Sequence, residues 1–99
     1  MNTRQFWVYI MASYRRSVLY IGVTNDLYRR YREHKEGKIA GFTKKYHCHD
    51  LVYYEEYTDA LEAIQREKEL KGKSRQYKVE LIKMKNPLMS NLAVKLGWL

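Results

Sequence analysis

The sequence has little of the chemistry that cross-links or anchors a chain: it contains one cysteine, Cys48, and one proline, Pro87. A single thiol excludes an intramolecular disulfide and the paired-thiol metal sites. The run 47–50, HCHD, is a weak zinc motif, because adjacent residues cannot easily close a tetrahedral site and no second ligand pair exists.

Long apolar runs are also missing. No stretch approaches the roughly 18 consecutive apolar residues that a membrane-spanning helix needs. Residues 1–7 lack the basic and apolar segments of a secretory leader. We therefore expect a cytoplasmic protein with no membrane partner.

Length and charge narrow the class of protein. Ninety-nine residues give room for one domain over 1–99, because a separable second core needs about 50 residues of its own. Nineteen Lys and Arg against eleven Asp and Glu leave a net charge of +8. That charge favours a polyanionic partner, nucleic acid first. The plain alternative is that the surplus lysine only serves solubility.

Two runs of β-branched and aromatic residues, 6–12 and 18–24, flank a polar stretch and predict a β-hairpin. Alternation gives the pair one cleaner apolar face, formed by Val8, Ile10, Ala12, Leu19, Ile21 and Val23. Tyr9 and Tyr20 then share the opposite face. On that face Gly22 leaves a gap where a ligand or another backbone can approach. Residues 51–57 are expected to form a third strand.

A first helix is predicted over residues 27–36, after the capping residue Asp26. Its periodicity places Arg30 at the edge of an inward stripe made of Leu27, Tyr31 and His34. The segment 37–49 that follows contains two glycines and several lysines. It is predicted to be a basic surface loop.

Two more helices are predicted in the C-terminal half. The second begins after Asp59, where Glu62 completes a capping-box-like start, and ends at Gly72. The third spans about residues 74–84. The tail over residues 88–99 is apolar enough to pack against the rest of the chain.

Glu67 stands out in the second helix, because its angular position falls among Ala60, Ala63 and Ile64 on the apolar face. An ionised carboxylate buried without a partner is costly. Such a residue is usually bound to a metal, placed in a cleft or paired with a cation. The choice between a functional carboxylate and an ordinary ion pair with a nearby Arg or Lys stays open.

Arg30 and His34, at i and i+4, can offer a guanidinium for phosphate and an imidazole for proton handling. Taken singly, each has an ordinary explanation as a snorkelling or packed side chain. A functional role becomes more plausible when the candidate residues are considered together, because they can meet at one place. If the first and second helices pack on the tyrosine side of the sheet, one concavity receives Tyr9, Tyr20, Arg30, His34 and Glu67.

The segments Trp7–Tyr9 and Tyr20–Gly22 are separated by ten residues, and the three candidate side chains follow them. In this arrangement the chain resembles the GIY-YIG nuclease domain over nearly its whole length. It is most similar to small single-domain bacterial members related to the N-terminal domain of excinuclease C, with matching stretches at GVTNDLYRR, GFTKKY, LVYYEE and REKELK. The resemblance implies an α+β fold, a three-stranded antiparallel sheet flanked by helices. Trp7 and Val8 depart from the Gly and Ile of the family motif.

The resemblance also implies roles. In the family, two motif tyrosines and an arginine of the first helix line the active site, and a helix glutamate holds one divalent metal. The matching residues here are Tyr9, Tyr20, Arg30 and Glu67. Mg²⁺ or Mn²⁺ on a single carboxylate keeps several waters and can bind the scissile phosphate.

Physical chemistry suggests how the other groups would act. Arg30 would clamp a phosphate oxygen, and Tyr9 would take a proton from water once the metal or Arg30 lowered the phenol pKa from its usual value of about 10. Tyr20 and His34 would orient the reacting groups or relay a proton. Gly22 would admit the substrate backbone. Flanking phosphates would be neutralised by Arg29, Lys44 and Lys45.

Two functions follow from these features. The first is a metal-dependent endonuclease that cuts DNA, or RNA as the alternative substrate, with low base specificity, in a setting such as DNA repair or recombination. The second is a non-catalytic nucleic-acid-binding or adaptor module that retains the fold. Because no separate DNA-binding module is apparent, targeting is expected from a protein partner, from oligomerisation or from DNA structure. A monomer or weak homodimer is the expected state.

Overall fold

The computed structural model describes residues 4–39 and 41–99. The elements in chain order are β1 (Phe6–Ala12), β2 (Leu19–Thr24), α1 (Leu27–Lys35), α2 (Phe42–Tyr46), β3 (Asp50–Tyr57), α3 (Ala60–Lys71), α4 (Arg75–Lys85) and α5 (Leu92–Lys95). The predicted strands and the three predicted helices are present, with bounds shifted by no more than one residue. Side chains of Asp26, Asp59 and Ser74 accept hydrogen bonds from the first turns of α1, α3 and α4, as N-caps do.

The strands form an antiparallel sheet in the order β2-β1-β3. Within it Val8 pairs with Val23, Tyr9 with Gly22 and Ile10 with Ile21. This register places the predicted apolar residues of the hairpin on one face, because side chains alternate along a strand. The α+β fold with a three-stranded antiparallel sheet is confirmed.

The apolar face of the sheet is covered by α3 and α4. The buried residues of that layer are Val8, Ile10, Ala12, Ile21, Val52, Tyr53, Ala63, Leu70, Ile82 and Met89. Burial of these side chains is the main stabilising contribution on this side.

The tyrosine face is covered by α1 and the C-terminal tail. Leu27 and Tyr31 of α1 and Ala93 of α5 join Tyr9 in a second buried cluster. The indole of Trp98 lies 5.5 Å from the ring of Tyr31, measured between centroids. The prediction that the tail packs on the rest of the chain is confirmed. Across the described residues, every helix is too short or too polar to cross a membrane.

Two expectations about the helices are wrong. The segment predicted as a loop contains the short helix α2, although Ala40 of that segment lies outside the described residues. The helices α1 and α3 also lie on opposite faces of the sheet, instead of on one side. The reason is that Ala63 and Leu70 of α3 bury against the apolar face, where their burial is most favourable.

Candidate active site

The central strand β1 carries Tyr9, whose hydroxyl lies 2.9 Å from Nε2 of His34 on α1. Both side chains are buried. A neutral imidazole with Nε2 unprotonated accepts the hydrogen bond that the phenol donates. The pair therefore links the middle of the sheet to α1 and gives the phenol a neighbouring proton acceptor.

Burial sets the protonation of both partners. It lowers the pKa of His34 to about 4, and the positive charges of Arg30 and His49 act in the same direction. His34 is therefore neutral at pH 7, and its unprotonated ring nitrogen can accept a hydrogen bond.

The pKa of the Tyr9 phenol is raised above its ordinary value, chiefly by burial. A charge on Tyr20 raises it further, Arg30 opposes the rise, and the carboxylates of Glu67 and Glu33 add to it. Arg30 lowers this pKa, as expected, but desolvation outweighs the guanidinium, so the pKa of the phenol is raised overall.

The space above Gly22 is taken by the protein itself. A Cβ placed on Gly22 would overlap the hydroxyl and ring of Tyr9. Gly22 therefore seats the catalytic-motif tyrosine, and the expectation that this gap admits the substrate backbone is wrong. The tyrosine leans from β1 across its pairing partner toward the free side of β2.

Tyr20 and Arg30 lie beside the pair. The Tyr20 ring is 5.3 Å from that of His34 and 6.3 Å from that of Tyr9, measured between centroids. Nε of Arg30 is 3.6 Å from Oε1 of Glu33, and each of these two atoms is buried without a hydrogen-bond partner.

Glu67 approaches the site from the other side of the sheet. It lies one turn after the buried Ala63, and its side chain is only 16% exposed. Oε1 of Glu67 is 3.6 Å from Nζ of Lys71, so the ion pair considered above is present. Because β2 is an edge strand that α3 packs against, the carboxylate is still close enough to raise the pKa of Tyr9. Its neighbour Ile64, in contrast, is exposed instead of buried.

The donor set around Glu67 suits one kind of metal. Among the described residues, no group of three or more His, Cys, Asp or Glu side chains is placed to hold an ion. A single accessible carboxylate fits Mg²⁺ or Mn²⁺, which retain several waters when bound. It does not fit a closed site that needs four protein ligands.

The remaining predicted substrate residues lie on the surface. Arg29 is exposed on α1, and Lys44 and Lys45 are exposed on α2. Nζ of Lys45 lies 5.4 Å from the ring centroid of Tyr46. In the part of the chain that the structure describes, no contact joins these cations to the Tyr9 and His34 pair.

Sequence reasoning missed three residues near the site: Glu33, His49 and Lys71. Glu33 follows Arg30 at i+3, a spacing that brings side chains together on a helix and could have flagged the pair. Lys71 follows Glu67 at i+4 for the same reason. His49 reaches α1 only through the tertiary fold, so no local pattern could have found it.

The chain is similar to several known proteins. The family model described as the GIY-YIG catalytic domain matches residues 5–80. A UPF0213 protein of Staphylococcus epidermidis is 42% identical over 64 residues, 65% of this chain and 78% of that protein. A UPF0213 protein of Staphylococcus aureus is 42% identical over 65 residues, 66% of this chain and 79% of that protein.

Among solved structures, the solution structure of a UPF0213 protein from Bacillus halodurans is similar in fold. It shares 32% identity, with a TM-score of 0.56, and the likeness covers 88% of this chain and 92% of that one.

Proposed function

Because this chain belongs to the GIY-YIG catalytic-domain family, we propose that it is a divalent-metal-dependent endonuclease that hydrolyses DNA phosphodiester bonds with low base specificity. The proposal treats residues 1–99 as one nuclease domain. It includes a cytoplasmic location and a role in repair or recombination of DNA. It also includes targeting by a protein partner or by DNA structure.

One observation carries the proposal. The phenol of Tyr9 is hydrogen-bonded to His34, and it is close enough to both Arg30 and Glu67 for their charges to act on its pKa. These side chains come from three different elements. A proton acceptor, a guanidinium and a carboxylate around one phenol are what phosphodiester hydrolysis requires.

Because its pKa is raised, Tyr9 needs a neighbouring cation to react as a phenolate, and Arg30, whose charge lowers that pKa, is the candidate. As a phenolate, Tyr9 takes a proton from the attacking water, and His34 orients the Tyr9 oxygen. The water oxygen forms the new bond to phosphorus, the bond to the leaving oxygen breaks, and that oxygen takes a proton from solvent. Arg30 stabilises the charge that develops on the phosphate. Tyr20 orients the imidazole against which its ring packs.

Glu67 is the residue that would hold Mg²⁺ or Mn²⁺, and such an ion supplies Lewis-acid stabilisation of the phosphate when bound. Arg29, Lys44 and Lys45 supply sequence-independent attraction for flanking phosphates, because they are exposed and distant from the reacting groups. Contacts with phosphates carry no sequence information, and this favours low base specificity.

The test compares cleavage of labelled duplex, single-stranded and branched DNA by wild type, Glu67→Gln and Arg30→Ala, with Mg²⁺ or Mn²⁺. Binding is recorded on the same samples. We expect metal-dependent cutting that both substitutions abolish while binding persists.

Glu62→Gln is the matched control, because Glu62 is exposed on the same helix and also loses one negative charge. We expect it to cut as wild type does. If wild type binds every substrate and never cuts, the chain is a nucleic-acid-binding module and not a nuclease. If Glu67→Gln cuts as well as Glu62→Gln, the chain is a nuclease but Glu67 does not hold its metal.

A further inference from the structure

A cleft of about 290 Å³ lies along the outer side of the edge strand β2. Its wall on the strand side is apolar and aromatic, and on the helix side it is cationic. The lining residues are Leu19, Tyr20, Ile21, Lys71 and Lys78. No acidic side chain lines it, although α3 alone carries three glutamates.

Neither of the two lysines is held by a strong ion pair within the described part of the protein. Lys71 is paired with Glu67 at 3.6 Å, and its side chain is 52% exposed, so the pair contributes little stability. Lys78 is half-buried, and among the described residues it forms no ion pair. Two lysines line this cleft and only one of them is paired with a carboxylate, so the net positive charge favours an anionic occupant.

The cleft and the proposed reaction centre share one residue. Tyr20 lines the cleft and also packs against His34. Lys71 lies four residues after Glu67 on the same helix, a rise of about 6 Å along the axis. Since each strand of a duplex rises 3.4 Å per nucleotide, a backbone held at Lys71 lies within about two nucleotides of Glu67.

We infer that the cleft between β2 and the helices α3 and α4 binds the DNA backbone next to the bond that is cut, with Lys71 and Lys78 each neutralising one phosphate. The inference rests on the proposed function and adds a substrate-binding surface to it. Lys71 exchanges a carboxylate for a phosphate when the substrate arrives, and Tyr20 supplies the apolar wall against which a sugar or base packs. Lysines here act as point charges, so this contact carries no sequence information.

The test is the salt dependence of duplex DNA binding, measured by fluorescence anisotropy with EDTA present between 50 and 200 mM KCl. The variant is Lys71→Met with Lys78→Met, which keeps the apolar stems and the helix propensity. Each lost phosphate contact lowers the slope of log Kd against log salt by about 0.9. We expect the double variant to lower the slope by about 2.

Lys68→Met with Lys83→Met is the matched control. It removes one lysine from each of the same two helices, both exposed, and neither lines the cleft. We expect its slope to change by less than half as much. Equal slopes for the two double variants overturn the inference, whether or not the wild type cuts DNA.

Binding without any cutting leaves the inference standing and removes only the catalytic proposal. Absence of wild-type binding overturns both. Urea unfolding of each variant checks the fold, and if the Met pair does not fold, Lys71→Gln with Lys78→Gln takes its place in the same measurement.

Discussion

The phenol of Tyr9 occupies the space in which a side chain at Gly22 would lie. The two residues are paired across β1 and β2, so the contact fixes the direction in which the tyrosine leans. It aims the hydroxyl at His34. A backbone position in the edge strand therefore controls the geometry of a side chain in the central strand.

Gly22→Ala should displace Tyr9. A methyl group at this buried position overlaps the ring, and overpacking of this kind costs about 1–3 kcal/mol of unfolding free energy. We expect that loss in urea unfolding, together with loss of the hydrogen bond to His34, seen as a rise of the imidazole pKa toward 6.5 in an NMR titration.

Gly72→Ala provides the comparison. At Gly72 the nearest atom to a new Cβ is the Glu69 carbonyl oxygen at 3.5 Å, an ordinary contact, and its φ of −82° suits any residue. We expect unchanged or slightly higher stability. Equal effects of the two substitutions would show that Tyr9 has room to move.

Much of the fold was predictable from the sequence, because burial of one face of a strand or helix makes apolar residues recur at a regular spacing. The two-residue alternation of 6–12 and 19–24 leaves only one register that buries Val8, Ile10 and Ile21 together, and the structure has that register. The helix starts were equally accessible, since Asp26, Asp59 and Ser74 each precede a periodic segment.

The site was predictable only in part. Periodicity located Glu67 on the inner side of its helix, but it could not show which face of the sheet that helix covers. The lean of Tyr9 over Gly22 depends on a rotamer and on the β1 to β2 pairing, which no local pattern encodes. The spacing of Lys71 after Glu67 indicates an ion pair but not a cleft, and Lys78 has no sequence signal, because a lysine on a helix is ordinarily a solvated residue.

The stability of the protein should fall as the pH drops from 6.5 toward 4. The folded-state pKa of His34 is about 4 because of burial, whereas the unfolded value is near 6.5. The unfolded chain therefore binds the proton more strongly, so the stability is present above 6.5 and is lost toward 4. We expect wild type to lose about 2 kcal/mol between pH 7 and pH 5 in urea unfolding.

His34→Gln separates this effect from other titrations. Its amide can still hydrogen-bond the Tyr9 hydroxyl but does not ionise. We expect a flatter profile between pH 7 and pH 5. Parallel profiles for wild type and the variant would mean that His34 is not the group responsible.

Glu55 should stabilise the opposite face of the sheet. Its oxygens accept hydrogen bonds from Nε of Arg66 at 2.9 Å, from the Tyr57 hydroxyl at 2.7 Å and from the Tyr53 hydroxyl at 2.5 Å. Its side chain is 13% exposed. Glu55→Gln leaves the partly buried guanidinium of Arg66 with Glu69 as its remaining anionic partner, and we expect a loss of about 1–3 kcal/mol in urea unfolding.

The pH range over which stability is lost distinguishes the contribution of Glu55 from that of His34. Burial raises the pKa of Glu55, but hydrogen bonds from Arg66, Tyr53 and Tyr57 lower it by more than burial raises it. The pKa of Glu55 is therefore lowered overall. Its contribution is therefore present above the unfolded value and is lost only as the pH falls below about 4.5. Tyr57→Phe, which removes one of the bonds, should cost less than Glu55→Gln. A larger loss for Tyr57→Phe would mean that the Tyr57 hydroxyl, and not the ion pair of Glu55 with Arg66, carries most of the stabilisation.

Lys71→Met should strengthen Mn²⁺ binding in the absence of nucleic acid. The ammonium of Lys71 lies 3.6 Å from the Glu67 carboxylate, so a divalent ion on that oxygen must overcome its repulsion. An ion pair with one exposed partner is worth about 0.2–1 kcal/mol, and its removal corresponds to roughly a 1.4- to 5-fold tighter Kd. Electron paramagnetic resonance of free Mn²⁺ measures the change, which should shrink as KCl is raised because salt screens the repulsion. Lys68→Met, on the same helix, should leave the Kd within error of wild type. If both substitutions tighten binding equally, net charge and not the ion pair with Glu67 governs the affinity.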